Sequence, residues 1–186
     1  MDTTPVSLLE RLRQPNATDA WDHFVKLYTP LLYYWAKRLG LQESDAADLV
    51  QDVFTLLVQK LPEFRYDSSR SFRNWLLTVM TNKWRDRVRR REPAALGHRM
   101  LADMTAPVEP DSLSEAEYCE RLVREALRLM QAEFSPSMWK ACWEHVVMGR
   151  PAAEVAAELG SRVGSVYVAR SRILTRLRVE LKDLLD

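Results

Sequence analysis

The feature that most constrains this chain is the spacing of its apolar residues, which return at helical intervals along most of its length and lose that period in one proline-bearing stretch. Trp21, Phe24, Val25, Tyr28, Leu31, Leu32 and Trp35 mark the inner face of a first long helix, with Pro30 expected to break or kink it and Gly40 to end it. A second helix, capped by Ser44 or Asp45, is predicted to run to Lys60 and to bury Val50, Val53, Phe54, Leu57, Val58 and Leu61. Residues 63–71, EFRYDSSRS, have no period and hold turn formers, so a loop should precede a third helix whose stripe is Phe72, Trp75, Leu76, Val79 and Met80. No run alternates apolar and polar residues between hairpin turns. The expected fold class is therefore all-α.

Residues 92–112 carry Pro93, Pro107 and Pro110 without sustained periodicity and read as a flexible linker. They divide the chain into two small helical domains, 18–91 and 113–186, and nothing before residue 18 or after 182 suggests a third. The second domain opens on a capping box, Ser114 to Glu117, ahead of a helix carrying Tyr118, Leu122, Ala126, Leu129 and Met130. Ser135 and Pro136 start the next, which is expected to bury Met138, Trp139, Cys142, Trp143, Val146 and Val147 and to stop at Gly149.

A formal charge of +1 hides an uneven distribution: residues 1–91 hold 15 basic and 11 acidic side chains, residues 92–186 hold 12 and 15. Lys83, Arg85, Arg87, Arg89, Arg90 and Arg91 crowd the end of the third helix against Asp86, so contact with a polyanion should be local. Cys119 and Cys142 stand far apart without a CxxC or histidine cluster, which points to reduced thiols and to neither a metal site nor a disulfide framework. The start, MDTTPVSLLERLR, lacks the pattern of an export signal, and LVQDVFTLLV is interrupted by Gln51 and Asp52, so a cytoplasmic protein without membrane insertion is expected. His23, His98 and His145 are scattered, and no GxxxxGK[ST], HExxH or nucleophile-base set occurs. A binding protein without catalytic residues, metal or cofactor is the expectation.

PAAEVAAELGSRVGSVYVARSRI reads as a helix-turn-helix. Ala156 lets two helices cross closely, Gly160 can take the positive φ of the turn, and Val155, Leu159, Val166 and Ala169 seal the inner face. The second helix then offers Ser165, Tyr167, Val168, Arg170, Ser171, Arg172 and Arg176, with Arg162 in the turn, a mixture suited to base edges and phosphates. An amphipathic hairpin with a solvated basic face would carry the same residues, and for each arginine base contact, phosphate contact and solvent remain open. In the third helix Asn74, Thr78, Asn82, Arg85 and Arg89 share one face, and the loop before it places Phe64, Tyr66 and Phe72 beside Arg65 and Arg70, chemistry able to stack on an extruded base. Trp75 reads as core; Trp84 is open between core and base platform.

Together, DAADLVQDVFTLLVQKLPEF, the loop YDSSRSFRNWL, the basic helix end, the linker and the C-terminal helix-turn-helix resemble the bacterial sigma factors of the extracytoplasmic-function (ECF) group, over residues 20–91 and 113–182. The resemblance implies a factor that binds core RNA polymerase, takes it to promoters and helps open the strands. It implies that Asp48, Leu49, Gln51, Asp52 and Phe54 dock on the clamp helices of the largest polymerase subunit. Phe64, Tyr66, Asp67, Ser68 and Arg70 would capture the minus-ten strand, with Asn74, Asn82, Arg85 and Arg89 holding it, and 163–182 would read the minus-thirty-five element. Promoter DNA, the polymerase flap region and an anti-sigma factor are the further partners it implies. The chain departs from many relatives in having Val168 and Ala169, with Arg170 one step later, where they have a hydroxyl and a second arginine. A stand-alone helix-turn-helix regulator, binding DNA unaided, is the main alternative, and a helical adaptor that binds only protein is another.

Overall fold

Why the first long helix survives its proline is visible in which face carries it. In the computed structural model, which describes residues 7–14, 16–61, 71–91 and 114–185, α2 runs without a break from Thr18–Arg38. Pro30 lies on the exposed side, as does Lys26, the residue whose carbonyl a proline at this position leaves without its usual helical partner. The neighbouring Thr29 hydroxyl donates to the Val25 carbonyl at 2.6 Å. On the other side Phe24, Leu27, Tyr28, Leu31, Leu32 and Trp35 are buried and hold the helix to the core on both sides of the proline. At its end Gly40 takes φ +80°, as a left-handed stop requires.

The described chain divides into two compact units, one formed by Leu8–Leu122 with Asp183–Asp186, the other containing Val123–Lys182. In the first, α1 (Leu8–Leu12), α2, α3 (Glu43–Lys60) and α4 (Phe72–Arg91) pack in sequence, each against the next. Helix α1 precedes the expected start at residue 18, yet Leu8, Leu9 and Leu12 join the core. Helix α3 begins one residue ahead of the predicted caps, behind Gln42, so Ser44 and Asp45 lie inside its first turn, where Glu43 and Asp45 complement the positive helix end. The centre is aromatic: Phe24 stacks on Tyr28 at 4.5 Å and meets Phe54 and Phe72 edge-on. Val25 and Val58, expected inside, are instead exposed, at the margins of the apolar stripes.

Helix α5 (Glu115–Met130) starts where the capping box predicts, the Ser114 hydroxyl accepting the Glu117 N–H at 3.2 Å. Its opening residues belong to the first unit: Tyr118 is buried, stacks beside Trp35, meets the Tyr28 hydroxyl at 3.0 Å and donates to the Leu184 carbonyl at 2.9 Å. A buried tyrosine needs such partners, and here the chain end supplies one.

In the second unit α6 (Pro136–Cys142) is capped by Ser135, whose hydroxyl accepts the Met138 N–H, with Pro136 in the first turn. It continues as a π turn over Trp143–Val147, in which the Met148 N–H reaches back five residues to the Trp143 carbonyl. This wider turn rotates the apolar stripe away from the core. Trp143, Val146 and Val147, expected to be buried, are exposed at 42%, 41% and 55%. Helices α7 (Ala152–Glu158) and α8 (Val163–Leu181) complete the unit around Cys142, Val155, Ala156, Val166, Ala169 and Ile173. Among the described residues there is no strand, and no helix is long and apolar enough to cross a membrane.

Candidate nucleic-acid and polymerase interface

The turn between α7 and α8 is closed by the backbone alone. Gly160 has φ +58°, its N–H bonds the Ala157 carbonyl at 3.3 Å, and the Ser161 N–H bonds the Ala156 carbonyl at 2.9 Å. This pair of bonds satisfies carbonyls that a helix end otherwise leaves open and fixes the angle at which α8 departs. Val166, Ala169 and Ile173 then bury one side of α8 against α6 and α7. Arg162, Ser165, Tyr167, Val168, Arg170, Ser171 and Arg172 are all exposed, so seven of the eight residues predicted for the minus-thirty-five element reach the surface, six from α8 and Arg162 from the turn ahead of it.

Arg176 differs. Its guanidinium meets both carboxylate oxygens of Glu133 at 2.9 Å and Glu180 at 2.6 Å, and the Glu180 side chain is only 3% exposed. Burial opposes the charge of Arg176, but the two carboxylates outweigh it and hold the guanidinium more firmly protonated than usual. The structure thus uses Arg176 as a brace for the far end of α8. Glu180 stands four residues on, at helical pairing distance, whereas Glu133 lies 43 residues away and no sequence pattern singled it out.

A second ion group steadies the first helix of the motif. Glu158 on α7 accepts from Lys140 on α6 at 2.8 Å and from Arg150 at 2.7 Å, and Arg150 also pairs with Glu144 at 3.0 Å. Hydrogen bonds from Lys140 and Arg150 pull the Glu158 carboxyl down to about 2. Beside this group Trp139, Trp143 and Leu127 floor a groove of about 430 Å³ rimmed by Arg124, Arg128 and Lys140.

In the first unit, Ser71 caps α4 by accepting the Asn74 N–H at 3.1 Å. Asn74, Thr78, Asn82 and Arg89 are exposed and Arg85 partly so, which brings the predicted stripe together along one side of the helix. The predicted Phe64, Tyr66, Asp67, Ser68 and Arg70, and the linker 92–112, lie outside the described residues. Phe72, read both as core and as a base platform, is fully buried, 5.7 Å from Tyr28 and 5.6 Å from Trp75, and is core.

On α3, Asp48, Gln51 and Asp52 are exposed one turn apart. Leu49 is fully buried, so it seats the helix and offers no surface to a partner; Phe54 is half-buried against Phe24. Sequence reasoning missed a link here: Arg87 of α4 donates to Asp52 at 3.0 Å and to Asp48 at 3.2 Å, forking across both carboxylates. Nothing in a run of six cations marked Arg87 as the one turned toward α3.

Residues 24–93 match the Sigma-70 region 2 family. The RNA polymerase sigma factor CnrH of Cupriavidus metallidurans is 33% identical over 158 residues, spanning 81% of this chain and 78% of its own. This chain belongs to the ECF RNA polymerase sigma factors. SigE of Mycolicibacterium smegmatis is 27% identical over 99% of this sigma factor and 68% of the relative, and SigD of Mycobacterium tuberculosis 30% identical over 80% and 70%. Among solved structures, CnrH in complex with the cytosolic domain of CnrY aligns over 91% of this sigma factor and 92% of that chain, at 25% identity and a TM-score of 0.37. As a sigma factor, the protein directs RNA polymerase to promoters.

Proposed function

We propose that the two units divide promoter recognition, working in the cytoplasm by binding alone and without covalent chemistry. In the first unit α3 docks on the clamp helices of the largest polymerase subunit through Asp48, Gln51 and Asp52, while α4 holds the minus-ten strand along Asn74, Asn82, Arg85 and Arg89. The loop that carries Phe64, Tyr66, Asp67, Ser68 and Arg70 captures the extruded base. Helix α8 enters the major groove of the minus-thirty-five element, and the tryptophan-floored groove of the second unit takes the polymerase flap. The observation that carries this reading is the juxtaposition in one small unit of an acidic face on α3 and an amide-and-arginine stripe on α4. The first face suits a cationic protein surface, the second a phosphate backbone.

Polymerase supplies the affinity that two small DNA surfaces lack, since a tethered second contact costs less entropy than a free one. Base capture offsets unstacking, which costs on the order of 1 to 2 kcal/mol per step. The relative CnrH is solved with the cytosolic domain of CnrY, which favours an anti-sigma partner for this chain as well.

The test is transcription in vitro with core polymerase and a promoter library, using the intact protein and a D48R/D52R variant, with melting temperature followed alongside because Arg87 loses its partners. New start sites should depend on the protein, and the double reversal should weaken core binding by roughly tenfold or more at an unchanged fold. Tight, specific binding by the protein without polymerase would favour the stand-alone regulator instead.

A further inference from the structure

The outward side of α8 carries an apolar side chain where a groove-reading helix is expected to be polar. Gly164, Val168, Ser171 and Thr175 follow one another at helical spacing, all exposed, opposite the buried Val166, Ala169 and Ile173. Val168 is 47% exposed and Tyr167, beside it, 51%. The Tyr167 ring is set by an edge-on contact with His145 at 5.6 Å. Arg170 and Arg172 flank the stripe on either side and are exposed.

Gly164 adds a second observation. Its backbone is not in the left-handed region, and a Cβ built there meets nothing within 4 Å, so neither local geometry nor packing within the chain calls for glycine. One turn before Val168 on the same side, the missing side chain leaves room for something outside the chain to approach the helix closely.

We propose that Val168 reads the C5-methyl group of a thymine in the upstream promoter element, with Gly164 allowing α8 to sit deep enough for the contact and Arg170 and Arg172 taking flanking phosphates. This rests on the reading that α8 enters the major groove there. Thymine alone among the four bases presents a methyl group in that groove, and an isopropyl side chain has no hydrogen bond with which to choose any other base. The preferred element is therefore expected to carry thymine opposite Val168.

The experiment uses holoenzyme assembled from core polymerase and the full chain. Upstream elements are first selected from a randomised library, and each thymine in the selected element is then replaced by deoxyuridine, which removes only the methyl. At one or two positions the replacement should weaken binding of the wild-type holoenzyme by about fourfold, the worth of one buried methyl, and V168A should bind both templates alike. Scrambling the whole element without effect would sink the major-groove reading itself. An element that matters but tolerates deoxyuridine throughout, or a V168A protein as sensitive as wild type, would overturn the role of Val168 while leaving that reading intact. Because Val168 is exposed, V168A keeps its core; V168S serves as a second variant with the same expectation.

Discussion

Glycine at position 164 sets helix stability against reach. In a helix interior glycine costs roughly 0.5 to 1 kcal/mol relative to alanine, and nothing within the chain obstructs a methyl group here. Gly164 is the second residue of α8, so G164A should raise the unfolding free energy of the second unit by less than that interior value. Under the major-groove reading it should also weaken upstream-element binding by holoenzyme. Chemical denaturation and a promoter-binding titration on the same protein measure the two effects, and a gain in both would remove any role for the glycine in docking. Gly160 is the opposite case, because its φ of +58° belongs to the turn itself and could be read from the sequence on steric grounds alone. At the residue scale legibility followed local backbone demands. Gly40, Gly160, Ser114 and Ser135 act through neighbours a few positions away, whereas Arg87 finds Asp48 and Asp52, and Arg176 its partner Glu133, 35 or more residues distant, which no spacing rule specifies.

Among the elements, α6 and α7 are joined by Glu158, and this makes the second unit sensitive to acid. Its carboxyl is held near 2 in the folded protein against an ordinary value of 4.5. A depressed carboxylate stabilises the fold above its unfolded value, and that contribution fades as pH falls from about 4.5 toward 2. Thermal unfolding followed between pH 6 and pH 3 should show the loss, and E158Q should flatten the slope over the same interval while lowering stability near neutrality. A slope unchanged in E158Q would mean that other carboxylates govern acid unfolding. Helical periodicity predicted every one of the longer helices, yet it misjudged α6 because one widened turn is invisible to a fixed period. Trp143, Val146 and Val147 obey the pattern in sequence and break it in space. Of the break or kink expected at Pro30, the break is absent, because the proline stands on the exposed side of the helix, a tertiary property.

For the whole molecule, the sequence suggested a division at 92–112, which lies outside the described residues, whereas the two compact units part after Leu122, within α5; the packing of Tyr118 and Leu184 into the first unit was not legible, since it depends on contacts between distant segments. What the family resemblance added was purpose for polar faces that composition alone leaves as solvated surface. The Arg87 fork has a consequence for how a start site is measured. It fastens the helix proposed to rest on the enzyme to the helix proposed to rest on the melted strand, so both belong to one stiff caliper. Lengthening the DNA between the two promoter elements should lower initiation, yet leave the first transcribed nucleotide at its usual offset from the downstream one. Mapping transcript ends on templates of graded spacer length checks it, and a start site that moves with the upstream element would sink the idea.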